Sequence, residues 1–299
     1  MPNVSPNLSG LIDSWHLALR ADRKSAQTID SYIRGVRLFL RWCDEQGHPP
    51  VLDRPTVRAW VAHLLDEGAE PATARARLMA LKRFSAWLVE EDELDRDELI
   101  GLKPPKLDAK VVPRLTEQQC ADLIKACTGK TFLDRRDEAL LRLLLETGLR
   151  AGEAINLTLA DIDLIRGVVT VHRGKGGKGR TVPIGAQTCR AIDRYLRQRA
   201  THRLADAPQL WLGGGGQTFS YNAADKALKA RAKAAGVEGF HIHLTRHTAA
   251  SRWLSAGGSE GGLMAVAGWS SRDMLDRYTR STAAERAATE ARGLNLGDW

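Results

Sequence analysis

Cysteine is scarce in this 299-residue chain: Cys43, Cys120, Cys127 and Cys189 are all there are, and no two stand as CxxC. That spacing supplies neither a zinc knuckle nor a disulfide framework, and it fits a reducing, cytoplasmic setting. Long apolar runs are missing as well. A membrane-spanning helix needs about 18 or more consecutive apolar residues, and no such stretch occurs. The first ten residues are polar and lack the charged-then-apolar order of a secretion signal. No internal repeat is visible, and no GK[ST] leads into a helix as a phosphate-binding P-loop requires.

Apolar residues make up 43% and charged residues 27% of the chain. That composition is enough for packed cores, and the length suits two domains. The net charge of +8 points towards a polyanionic partner. Its distribution is uneven. Met1–Lys110 carries 16 basic and 17 acidic residues, whereas the remainder carries 28 and 19, so the surplus belongs to the C-terminal part. Seven acids crowd into residues 90–98; upstream of them Arg75, Arg77, Lys82 and Arg83 lie close together.

Hydrophobic spacing predicts only helices in the first hundred residues. They fall at 8–19, from a Ser25 cap to a stop at Gly47, from Pro55 to Gly68, and from Pro71 onward. Their Trp and Phe residues are expected in the core. Residues 101–113 hold three prolines and no helical stripe, so a linker is expected there. The expected division is therefore 1–100 as a helical bundle, 101–113 as linker and 114–299 as a second domain. In that second domain Thr116 should cap a helix at 117–126, and another should run from 133 to Gly148. Strands are expected at 168–172 and 180–184 around the turn RGKGGKG. Further helices are expected at 186–199, 221–235, 245–255, 262–267 and 272–280. The fold class is thus mainly α with a small β-sheet.

Four clusters hold candidate chemistry, and each alone also reads as ordinary surface or core. Arg150 lies in TGLRAGE with Glu153 one helical turn on. Lys175 and Lys178 stand in the basic turn. His241, His243, Arg246 and His247 fall in FHIHLTRHTAAS, where no neighbouring acid or cysteine completes a metal site. His243 and Arg246, three apart, share the N-terminal end of a helix, which favours an anion. Trp269 precedes Tyr278 by nine residues in GWSSRDMLDRYTR.

In their order, these segments resemble the tyrosine recombinase (phage integrase) family over essentially the whole chain. TGLRAGEAINLTLADID is similar to its first arginine motif, GVVTVHRGKGGKGRTVPIG to its β-hairpin, HIHLTRHTAAS to its H-x-x-R box and GWSSRDMLDRYTR to its last box. The resemblance implies an N-terminal core-binding bundle and a C-terminal mixed α/β catalytic domain. It implies site-specific cleavage and rejoining of DNA through a 3′-phosphotyrosine, with Tyr278 as nucleophile and Arg150 and Arg246 on the phosphate. Lys175 would be the general acid, His243 and Trp269 would hydrogen-bond the phosphate, and Glu153 would support the first arginine. Tryptophan stands where histidine is commoner; an indole N–H still donates to a phosphate oxygen but shuttles no proton. Neither metal nor cofactor is expected. Expected partners are double-stranded DNA, three further copies in a tetramer on two duplexes, and accessory DNA-bending proteins, in a bacterial or phage-infected cell. Arg75, Arg77, Lys82, Arg83 and Lys178 are the expected DNA contacts, and residues 283–299 are expected to pack on a neighbouring copy. A phage-type integrase is the leading expectation. A resolving recombinase of the Xer type, a non-catalytic DNA-binding accessory protein and a relaxing topoisomerase are the alternatives.

Overall fold

The computed structural model describes residues 7–107, 113–172, 179–276, 278–279, 287 and 291–292. The chain divides into two compact units, Met1–Lys110 and Val111–Trp299.

The first unit consists of α1 (Ile12–Ala21), α2 (Ala26–Gln46), α3 (Arg54–Asp66) and α4 (Pro71–Glu90). Ser25 accepts from the Thr28 N–H to start α2, and Asp53 from the Thr56 N–H to start α3. Each cap satisfies one of the donors that a helix start leaves unpaired. Pro55 and Pro71 sit in first turns, where no N–H is needed. The aromatic residues do form the core. Trp15 stacks on Tyr32 with centroids 6.0 Å apart and leans on Phe84 at 4.8 Å, and Phe39 meets the edge of Trp60 at 5.3 Å. After α4 the acidic stretch folds back: Asp97 accepts from Ser85 Oγ at 2.6 Å and from the Leu99 N–H at 2.9 Å.

The second unit is built around α6 (Phe132–Thr147), whose Leu140, Leu141, Leu143 and Leu144 are fully buried. α5 (Glu117–Cys127), α8 (Ala186–Arg199), α9 (Tyr221–Ala234) and α10 (His243–Ser255) pack on it. Thr116 caps α5 as expected, with Gln119 completing a reciprocal box. Charges are buried here too. Asp137 receives Arg136 at 2.7 Å and Arg231 of α9 at 3.0 Å, while Glu138 receives Arg142 at 3.0 Å and Arg194 of α8 at 2.9 Å. Arg136, Asp137 and Glu138 are the buried members, and stripping either carboxylate of its cations would leave an uncompensated charge in the core, so these pairs tie α8 and α9 to α6.

A three-stranded antiparallel sheet runs β1 (Ile162–Asp163), β2 (Val168–Val171), β3 (Arg180–Pro183), with Val171 opposite Arg180. Both hairpin strands end one residue earlier than their sequence spacing predicts. His172 leaves the ladder and places Nε2 2.7 Å from Asp161 Oδ1. β1 and the five-residue α7 (Ala151–Ile155) are additions to the expected elements, being too short to show periodicity. α10 starts at His243 rather than 245. α11 (Glu260–Ala267) follows, and residues 272–276 and 278–279 are helical. No helix among the described residues is long and apolar enough to cross a membrane.

Candidate active site

The site begins where α6 stops. Gly148 ends the helix at φ +61°, a left-handed conformation that costs an L-residue with a Cβ. A Cβ there would also stand 3.1 Å from that of Ala249. The chain then turns through Leu149 to Arg150, the residue before α7. Glu153, one turn into α7, accepts from the Arg150 backbone N–H at 3.0 Å and from Arg150 Nη1 at 3.0 Å. Arg180, the first residue of β3, reaches the same carboxylate with Nη2 at 2.7 Å and Nη1 at 3.2 Å. Burial would raise the Glu153 carboxyl, but the Arg180 and Arg150 bonds outweigh it and hold the group below its ordinary value.

Three arginines meet at the end of α11. Its last carbonyls have no helical partner, and three successive ones are taken by guanidinium groups from different segments. Arg180 Nε donates to Val266 O at 2.8 Å, Arg246 Nη2 to Ala267 O at 2.9 Å and Arg150 Nη2 to Gly268 O at 3.3 Å. Arg246 also donates to Gly148 O at 2.6 Å, joining the ends of α6 and α11. Gly268 has φ +64°, and a Cβ on it would fall 2.8 Å from the guanidinium carbon of Arg180. Arg246 is only 6% exposed. Burial first, and the charge of Arg150 second, lower it to about 10. It stays protonated at neutral pH. Three guanidiniums against the one carboxylate of Glu153 leave an excess of positive charge that suits an anion.

Beyond Gly268, Trp269 lies with its ring 5.3 Å from the Arg246 guanidinium. Its Nε1 is buried and has no hydrogen-bond partner among the described residues. Such a donor is costly unless something arrives to accept from it. Tyr278 stacks on the same indole, rings 5.1 Å apart and 13° from parallel. It is 1% exposed and packs with Ala250, Leu254, Leu263, Ala267, Trp269 and Leu275 in a small core of its own. Its hydroxyl lies 2.6 Å from Nδ1 of His247.

The structure thus brings Arg150, Glu153, Arg246, Trp269 and Tyr278 together. His243 opens α10 but is exposed; partial burial, then His241 and Arg246, lower its imidazole below the ordinary value. Lys175 and Lys178 lie outside the described residues. On α4, Arg75 and Arg83 are exposed and Arg77 half-buried. Lys82 is engaged elsewhere, donating to Leu102 O at 3.1 Å, so as a DNA contact it would have to give up a structural bond. Sequence reasoning passed over Arg180, and it named His247 in the histidine cluster without giving it a role in the site. The signals were present: Arg180 opens the strand returning from the basic turn, and His247 adjoins Arg246 one helical turn after His243.

Comparison with known proteins matches this arrangement. The Phage integrase family model matches residues 113–285, and the model for its N-terminal SAM-like domain matches residues 12–92. Tyrosine recombinase XerC of Corynebacterium glutamicum is 34% identical over 278 residues, 91% of this chain and 87% of that protein. XerC of Azotobacter vinelandii is 32% identical over 252 residues, 82% of each. Among solved structures, XerH bound to a palindromic difH substrate in a post-cleavage complex superposes with a TM-score of 0.74 at 19% identity, over 96% of this chain and 84% of that one. A lambda integrase dimer bound to a core site gives 0.72 at 17% identity, over 93% and 79%; these two structures speak for the fold. The mainly helical, two-part architecture with its small sheet is the one these recombinases have. The chain belongs to the phage integrase family and is a tyrosine recombinase, an enzyme that cuts and rejoins DNA at specific sites.

Proposed function

We propose that this recombinase opens a phosphodiester by attack of Tyr278 on phosphorus, storing the bond as a 3′-phosphotyrosine and releasing a 5′ hydroxyl. The observation that carries the reading is the convergence of Arg150, Arg246 and the buried, unsatisfied Trp269 N–H beside the Tyr278 ring. A phosphate in transfer gains charge on its non-bridging oxygens, and fixed donors aimed at that charge lower the barrier. Arg150 and Arg246 offer planar forks that lysine does not match. In this reading Trp269 and His243 donate to the phosphate, and Glu153 keeps Arg150 in place through its two bonds. Lys175, assigned by resemblance, protonates the leaving oxygen. The guanidiniums take the part a metal ion plays in other phosphoryl transfers, so no cofactor enters.

Both units are proposed to close on a DNA duplex, the first as core-binding domain and the second as catalytic domain. Arg75, Arg77, Arg83 and Lys178 would hold phosphates, with Lys82 joining only on release from Leu102. A lambda integrase tetramer bound to a Holliday junction shares this fold, which supports a tetramer on two duplexes; DNA-bending accessory proteins would assist assembly in the cytoplasm. For the biological task, the high coverage of two XerC proteins favours resolution of Xer type as a second reading beside integration.

A nicked suicide duplex bearing the target site tests the chemistry. Wild-type protein should form a covalent DNA adduct, in EDTA as in its absence. Tyr278→Phe should bind the duplex and form none. An adduct with Tyr278→Phe would place the nucleophile elsewhere, loss of cleavage in EDTA would overturn the metal-free mechanism, and a wild type without adduct would favour an accessory protein.

A further inference from the structure

Tyr278 has to lose a proton to attack, and a phenol with an ordinary value of about 10 supplies little phenolate at neutral pH. At 1% exposure Tyr278 also has little bulk water beside it to take the proton. The motifs that mark the family-like site supply an acid for the leaving oxygen but leave this proton without a destination. We propose that His247 is the base that receives it. The inference rests on Tyr278 being the nucleophile and adds a catalytic residue to that reading.

The geometry is direct. His247 Nδ1 lies 2.6 Å from the Tyr278 hydroxyl, at the short end of the hydrogen-bond range in which proton transfer proceeds without rearrangement. The rings are 5.6 Å apart and tilted by 40°. His247 is one residue beyond Arg246 on α10, so the element that fixes one phosphate-facing guanidinium also fixes the base. The other charged groups around the site are poorly suited to the task. Glu153 is occupied by Arg150 and Arg180. Arg150, Arg180 and Arg246 are cations, and exposed His243 sits at the helix start with its ring 6.5 Å from that of His241. The Arg246 charge also acts on Tyr278, as a cation beside a developing phenolate.

The step balances. The Oη–H bond of Tyr278 breaks and its proton moves to His247 Nδ1, giving an imidazolium. Oη bonds to phosphorus as the bond from phosphorus to the 5′ oxygen breaks, and that oxygen takes its proton from the general acid. On rejoining, the 5′ hydroxyl attacks, the phosphotyrosine bond breaks and the imidazolium returns the proton to Oη. Tyr278 is thereby restored as a phenol against a neutral imidazole.

Single-turnover adduct formation on a suicide duplex, followed from pH 5.5 to 9, tests this with His247→Gln and His247→Ala. Glutamine keeps a polar side chain but takes up no proton. Both variants should bind the duplex as wild type does, yet cleave about 10²–10⁴-fold more slowly at neutral pH, the usual worth of a positioned acid or base. Their rates should climb with pH as the phenol ionises unaided, and added imidazole should restore part of the His247→Ala rate. A duplex with sulfur in place of the 5′ bridging oxygen needs no acid for its leaving group, and the defect should persist on it. Wild-type rates and pH dependence in His247→Gln overturn the inference, and so does full rescue by the sulfur substrate. Should both variants fail to fold, the wild-type profile decides: it must fall on the acid side as the imidazole protonates, and a flat profile overturns the proposal. An adduct formed by Tyr278→Phe would instead remove the nucleophile assignment itself, so the two failures are distinguishable.

Discussion

Trp269 offers two different surfaces to its neighbours. Its ring carries Tyr278 in a near-parallel stack, while its buried N–H is held without a partner among the described residues. The two are separable by substitution. Trp269→Phe keeps a ring for Tyr278 to lie on and deletes only the donor. It should slow adduct formation by about 10²–10³-fold, the worth of one preorganised donor to a developing oxyanion, with little loss of melting temperature because the deleted group was unsatisfied. Trp269→Ala removes the stacking surface too and should cost about 3–5 kcal/mol of stability in chemical denaturation. Equal cleavage rates for wild type and Trp269→Phe would show that the N–H meets no phosphate oxygen. At this scale the sequence disclosed identity but not direction: Tyr278 and Trp269 were readable as motif members, whereas the stack between them depends on residues 269 and 278 returning to one small core.

The elements of the site are short, and the ties between them are longer-ranged than any sequence window. α7 spans five residues and β1 two, so neither has a period to detect. Longer helices were legible almost to the residue because caps such as Ser25, Thr116 and Gly148 mark their ends. Arg180 illustrates what was not legible, since its partners Glu153 and Val266 lie 27 and 86 residues away. Its bond to Glu153 carries a definite pH signature. The carboxyl sits below its ordinary 4.5 in the folded chain, so its contribution to stability is complete above that pH. The contribution is lost as pH falls through the folded value. Melting temperature should therefore decline on acidification below about pH 4.5, and part of that slope should vanish in Glu153→Gln, which is already less stable at pH 7. Parallel wild-type and Glu153→Gln curves would mean that the carboxylate is not held by its arginines in solution.

Across the whole molecule, the sequence announced an anionic partner through its +8 charge and through a C-terminal part richer in bases than acids. It could not show that the positive charges proposed to hold the phosphate are few and partly buried. Arg246 is almost fully covered, and Arg150 and Arg180 share one carboxylate. This arrangement predicts two separate salt responses. Duplex affinity should fall steeply as salt rises, through release of counterions from phosphates. Sulfate, compared with chloride at equal ionic strength, should raise the melting temperature of the free protein by occupying the guanidinium cluster, and Arg150→Ala should abolish that difference. A sulfate effect that survives Arg150→Ala would belong to general salting rather than to the site.

The end of α11 gives that cluster a resting state. A helix C-terminus carries about half a negative charge, and here it is offered to Arg180, Arg246 and Arg150 through three successive carbonyls. If these arginines hold the scissile phosphate as proposed, the carbonyls are a faint stand-in for it, and a full phosphate charge would displace them. On the proposed reading the guanidiniums would wait already aligned, and the arrival of DNA would be an exchange of partners instead of an assembly.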